Sequence, residues 1–99
     1  MPSAYDFVSL KKDTDGKHKW VATIRNKTTG REKRVRFGAV GYEDFTMTGD
    51  EERKRLYLQR HAKNENWNDI STAGAWSKNL LWNKKSISAS LADIKRKFF

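Results

Sequence analysis

His61 and Glu65 stand four residues apart. On a helix that spacing puts both on one face, where a base could meet a carboxylate or two ligands could meet a metal. Two ligands do not close a zinc site, and the chain has no Cys to complete one. His61 is expected to pack beside Tyr57 or to bond a nearby carboxylate. His18 sits at a predicted strand start, far in sequence from any obvious carboxylate partner. No serine lies in a nucleophile-elbow pattern, and no Walker A or G-x-G-x-x-G loop is present. Gly38 and Gly41 alone are a weak signal. Asn26-Lys27-Thr28 fits a glycosylation acceptor, but Met1 to Leu10 lacks the basic and apolar regions of a secretory leader, so it reads as a turn. These residues predict a protein that is not an enzyme and has no metal, cofactor or small-molecule substrate.

The remaining chemistry is ionic. Twenty-one Lys and Arg oppose twelve Asp and Glu, giving a net charge of +9. Such a balance speaks of anionic partners rather than of fold. Residues 11–37 hold ten bases against Asp13, Asp15 and Glu32, whereas residues 38–52 hold five acids and no Lys or Arg. The expected picture is basic hairpins, an acidic strip behind them, and neutral, Trp-rich helices. The candidate anion-binding residues are Lys19, Arg25, Lys27, Arg31, Lys33, Arg34 and Arg36. Lys19, Arg25, Arg34 and Arg36 are expected on the sheet face opposite the core, where bound phosphates would release counterions. Tyr5 and Phe7 are placed on that same face as candidates for stacking on bases. A merely solvated sheet face would carry a similar composition. The closing Lys95-Arg96-Lys97-Phe98-Phe99 reads as a helix end matched to its dipole, with Phe98 in the core, rather than as a membrane anchor.

Alternating segments must position these groups. Residues 5–10, 18–25 and 33–39 alternate with period two, separated by Asp13-Thr14-Asp15-Gly16 and Lys27-Thr28-Thr29-Gly30. Trp20, Ala22, Ile24, Val35 and Phe37 are the expected inward residues. Gly38 and Gly41 end the sheet at a bulge or close backbone approach. Thr48 and Glu51 match a capping box for a helix reaching about Asn64, with Leu56, Tyr57, Arg60 and His61 on one stripe. Ser71 or Thr72 starts a short helix carrying Trp76, Leu80 and Leu81, broken at Asn83-Lys84-Lys85. Ser86 or Ser88 starts a third, whose Ile87, Leu91, Ile94 and Phe98 form an amphipathic stripe. Trp67, Trp76 and Trp82 are expected in the core; an exposed one would anchor a protein partner. The predicted class is α+β: a three-stranded antiparallel meander sheet followed by three short helices packed on one face. It forms a single domain over 1–99, hairpins in 1–42 and helices in 43–99. Four Trp, five Phe and three Tyr suffice for one such core, and no apolar run spans a membrane.

Several of these residues also form a pattern. Phe37-Gly38-Ala39, Gly41-Tyr42, Asp44-Phe45-Thr46, Tyr57 with Arg60-His61, Glu65, Trp67, Thr72-Ala73-Gly74, Trp76 and Leu80-Leu81-Trp82 resemble a family of short basic proteins of large DNA viruses of algae and protists. The resemblance covers roughly residues 18 to 98 and brings no catalytic residues with it. It implies a minor capsid or cement-type virion component located in the virion or in the host cytoplasm or nucleus, not secreted. Its partners would be other virion or assembly proteins. The alternative expectation is a module that binds the phosphate backbone of DNA or RNA through the basic hairpins.

Overall fold

The computed structural model describes residues 4–99; residues 1–3, the start of the expected hairpin half, lie outside the described residues. Three strands, β1 (Tyr5–Lys12), β2 (His18–Asn26) and β3 (Glu32–Ala39), form an antiparallel sheet in the order β1-β2-β3. Both tight turns are set by short polar side chains that satisfy backbone donors. The Asp15 carboxylate accepts from the Lys17 and His18 N–H groups, and the Asn26 side chain accepts from Thr28 and Thr29.

Period-two alternation sends Ala22, Ile24, Val35 and Phe37 into the core. A register shift between Phe7 and Ser9 interrupts β1. Phe7 opposes Ile24 before this bulge and Leu10 opposes Ala22 after it, so Tyr5, Phe7 and Leu10 all pack against the core. Trp76 lies at its centre, fully buried, with its ring 5.7 Å from Phe37 and 6.4 Å from Phe7. Its indole N–H donates to the Ile70 carbonyl at 2.7 Å, so the burial leaves no polar group stranded.

The helical half contains α1 (Phe45–Thr48), α2 (Glu51–His61), α3 (Ala73–Trp76) running into a π-helical turn (Ser77–Leu81), and α4 (Ile87–Phe98). Thr72 caps α3 and Ser86 caps α4, each accepting from the N–H three residues on. Thr48 does not cap α2. Gly49, at φ 63°, ends α1 in the left-handed region, and the chain restarts at Asp50, whose carboxylate accepts from Glu52 and Arg53. The wider π turn carries Asn79, Leu80 and Leu81 into the interior together. Asn79 is satisfied there by donating to Ala75 and Trp67 carbonyls.

The predicted α+β class and the order of strands before helices are both found. The packing is less even than expected. Ile94 and Phe98 of α4 reach the core, as do Trp76, Leu80 and Leu81. No residue of α2 is buried. Each side chain fully buried on the first set contributes roughly 1.5–3 kcal/mol; α2 contributes nothing of that kind.

Candidate functional site

The seven expected anion-binding cations do not share one face. Arg25, Arg34 and Arg36 do project from the side of the sheet away from the helices. Arg25 pairs there with Glu32, directly opposite on β3, at 2.9 Å. Arg36 reaches across the sheet to grip both oxygens of Asp13 at 2.8 and 3.0 Å, tying the β1–β2 turn to β3. Lys19 leaves that face: its ammonium donates to the buried Asp44 carboxylate at 2.7 Å and to the Tyr42 carbonyl. Lys27 and Arg31 belong to the β2–β3 turn, Lys27 lying 3.8 Å from Asp6. Lys33 sits opposite Ile24 on the helix side, near Asp69, whose carboxyl is held below its ordinary pKa by hydrogen bonds from Ser71 first and by the Lys33 charge last. Tyr5 and Phe7 are likewise on the helix side, with Phe7 5.7 Å from Phe99 and under the Lys95 ammonium. The alternation through the bulge puts them there, so no aromatic platform stands among the outer-face cations.

A different site is assembled between α2 and the sheet. A groove of about 1060 Å³ is floored by Phe37, Gly38 and Leu81 and walled by Tyr57 and Trp82. Gly38 is required here. Its φ is 77°, and a Cβ on it would stand 2.9 Å from Leu81 Cδ1 and 3.3 Å from Lys19 Cβ. The Tyr57 ring lies between two others, parallel to Trp82 at 4.4 Å and stacked on His61 at 4.3 Å. Burial first, then the nearby Glu65 carboxylate, pushes the Tyr57 phenol up to about 12. Glu65 accepts from His61 Nδ1 at 3.2 Å and from Trp67 Nε1 at 2.8 Å. A Cβ on Gly74 would fall 2.8 Å from the Glu65 carboxyl carbon, so glycine there lets the carboxylate approach. His61 thus both packs on Tyr57 and bonds a carboxylate.

Cations rim this groove. Arg53 pairs with Glu43 at 3.3 Å, while Lys17 and Arg60 have no ion-pair partner among the described residues. Apolar side chains stand at its mouth: Tyr42 is 72% and Leu56 41% exposed, with Val40 and Met47 exposed nearby in sequence. Fourteen of the residues in the pattern noted from the sequence, from Phe37 to Trp82, line this one groove.

Residues 8–61 match a family described as a family of unknown function, DUF5754. The chain belongs to that family. No curated protein and no solved structure matches the chain. The DUF5754 match takes in most of the sheet together with α1 and α2, hence the mouth and the outer wall of the groove; α3 and the π turn supply the inner wall.

His61, Glu65 and a hydroxyl do gather in the groove, but not as a nucleophile and its base. The Ser77 hydroxyl is hydrogen-bonded with the Tyr57 phenol, and His61 lies flat on the Tyr57 ring with Nδ1 committed to Glu65. His18 has a carboxylate after all. Its Nδ1 is 2.8 Å from Asp15 Oδ2, and this bond, with the backbone N–H donors of the turn, holds the Asp15 carboxyl below its ordinary range. Ligand atoms of Asp13, Asp15 and His18 lie within 4.8 Å of one another, a spacing that could hold a cation. Arg36 and His18 already engage those carboxylates.

The helices are not neutral. Residues 53–99 carry eleven Lys and Arg against Glu65, Asp69 and Asp93. A count over the second half of the sequence would have found this charge. The groove had no such signal: Gly38 meets Leu81 and Gly74 meets Glu65 only in the folded chain.

Proposed function

We propose that this protein is a non-enzymatic assembly protein that docks a partner protein at the α2 groove. One observation carries the reading: of the five large hydrophobic residues exposed among the described residues, Val40, Tyr42, Met47 and Leu56 come from one 17-residue stretch beside the groove. Scattered exposed hydrophobics need no explanation, but a cluster edged by charge is what a protein interface presents. The concave floor and the Arg53 and Arg60 rim give that interface shape and polarity. The resemblance to proteins of large DNA viruses supports placing the assembly in a virion, as a minor capsid or cement-type component with other virion proteins as neighbours. Copurification with assembled particles is the expected result, and Tyr42→Ala with Leu56→Asp should abolish incorporation without unfolding the isolated chain. Absence from purified particles would remove the virion role, and full incorporation of the double variant would remove the groove.

A second reading, binding to a nucleic-acid backbone, is favoured by the outer sheet face. No helix covers it, and Lys11 and Arg34 there have no ion-pair partner among the described residues. Oligonucleotide affinity should then fall with salt, and Arg34→Ala should reduce the slope of log K against log salt by about one. A salt-independent affinity counts against it. Arg36→Ala is the poorer probe, because it also releases the β1–β2 turn.

A further inference from the structure

On the outer face of the sheet, the antiparallel register sets residues of β1, β2 and β3 side by side, with neighbouring strands about 4.8 Å apart. Asp6, Arg25 and Glu32 form one row, Ser9, Thr23 and Arg34 the next, and Lys11, Val21 and Arg36 the third. The two flanking rows carry ion pairs. Arg25 bonds Glu32 at 2.9 Å, and Lys27 from the turn stands 3.8 Å from Asp6. Arg36 holds Asp13 at 2.8 Å and lies 3.6 Å from Asp15.

The middle row differs: it contains no acid. Among the described residues Arg34 has no ion-pair partner, and neither the Ser9 nor the Thr23 hydroxyl has a hydrogen-bond partner. A hollow of about 350 Å³ opens over this row, and Lys11, also without an ion-pair partner among the described residues, lines it from the row beside. A hydroxyl offers one O–H donor, an ammonium three N–H donors and a guanidinium five. These donors come from three strands and approach the hollow from three sides, with no free carboxylate to meet them. A single carboxylate has only two oxygens to share among them. A phosphate group presents three or more acceptor oxygens and takes a guanidinium edge in two parallel bonds. The flanking rows lie about 7 Å to either side, which leaves room for one phosphate group and not for a track of them.

We propose that Ser9, Thr23, Arg34 and Lys11 form a binding site for a single phosphate group. The site rests on the reading of the outer face as a phosphate-binding surface, and adds that hydroxyl groups as well as charge hold the ligand. Its phosphate is either the phosphodiester of a nucleic acid or free, as inorganic or condensed phosphate.

The test uses the full chain. Pyrophosphate and a short single-stranded deoxythymidine oligonucleotide are titrated calorimetrically at low salt into the wild type, Thr23→Val, Arg34→Gln and Lys63→Gln. Thr23→Val removes the hydroxyl while keeping the charge and the β-branched shape that suits a strand. Lys63, exposed beyond the end of α2, controls for the loss of one charge. Pyrophosphate binding should weaken at least about fivefold in Thr23→Val and at least about tenfold in Arg34→Gln, and stay within about twofold in Lys63→Gln. Parallel losses of oligonucleotide binding assign the site to phosphodiester. Losses confined to pyrophosphate assign it to free phosphate and remove the nucleic-acid reading alone. Pyrophosphate binding that Thr23→Val leaves unchanged overturns the site even where Arg34→Gln weakens it, and the charged face then stands without it. Absence of pyrophosphate binding to the wild type, or equal losses in all three variants, also overturns the proposal. Ser9→Ala decides the matter if Thr23→Val fails to fold.

Discussion

Helices α2 and α4 are nearly the same length, eleven and twelve residues, yet the molecule uses them oppositely. On α4, Ile87, Leu91, Ile94 and Phe98 form a stripe that closes the core, while Lys95, Arg96 and Lys97 complement its dipole. On α2 the charges are placed just as well, with Asp50 at the cap, Glu51 and Glu52 in the first turn and Arg60 and His61 in the last, but nothing is buried. Its hold on the body is narrow: Lys54 reaches Asn83 and lies over Phe45, and Tyr57 slides between Trp82 and His61. A helix too short to be stable alone, it is held by half-buried residues such as Tyr57 and walls the groove. The comparison separates an element that makes the fold from one that shapes a site.

The sharpest way to break that comparison is to truncate an apolar side chain on each helix. Ile94→Ala, at a fully buried position, should cost about 2–5 kcal/mol in denaturant unfolding. Leu56→Ala, 41% exposed, should cost less than about 0.5 kcal/mol. Similar losses would mean that α2 shares the core after all. Gly38, which lines the groove and faces buried Leu81, joins groove to core. Gly38→Ala must place a side chain at positive φ against buried Leu81, and a loss of about 1–3 kcal/mol is expected, read as a lower denaturant midpoint.

Removing the caps refines the comparison. Ser86→Ala should lower global stability by about 1 kcal/mol, because α4 unfolds with the domain. Asp50→Ala should instead speed amide exchange within α2 and move the global midpoint little. The smallest effect is one of pH. Hydrogen bonding to Asn83, Lys97 and Arg96 keeps the Asp93 carboxyl low in the folded state. That contribution on α4 is present above the unfolded carboxyl pKa of about 4 and lost as acid titrates the folded group. Tyr57 on α2 works in the other direction. Its folded pKa of about 12 exceeds the unfolded value near 10, so its stabilisation is complete below about pH 10 and disappears as pH rises through 12. Ultraviolet titration of Tyr57→Phe against the parent should show one phenol missing from the most alkaline step.

The strands were legible because alternation in 18–25 and 33–39 has only one reading, and Gly16 and Gly30 sit where the turns need them. The α4 stripe was legible for the same local reason, and the α3 cap was narrowed to Ser71 or Thr72, of which Thr72 acts. The start of α2 was not: Thr48 and Asp50 are both capping residues, and only the left-handed Gly49 between them decides which one acts. The outer-face prediction failed at two points. The bulge between Phe7 and Ser9 carries Tyr5 and Phe7 to the core side, and Lys19 turns away to reach Asp44, twenty-five residues distant. The bond from His18 to Asp15 was hidden because three residues in a turn fold back further than their separation suggests. None of the groove is local. It exists because the β2–β3 hairpin, α2 and the π turn meet, and no spacing in the chain announces that meeting.

The parallel rings of Trp82 and Tyr57, 4.4 Å apart and inclined by only 5°, have an optical consequence. Two transition dipoles held so close couple, and their near-ultraviolet circular dichroism and the emission of Trp82 depend on that spacing. Any ligand that shifts α2 would part the rings and change both signals. The molecule thus carries its own label at the groove, and occupancy can be followed by light alone, with no dye attached.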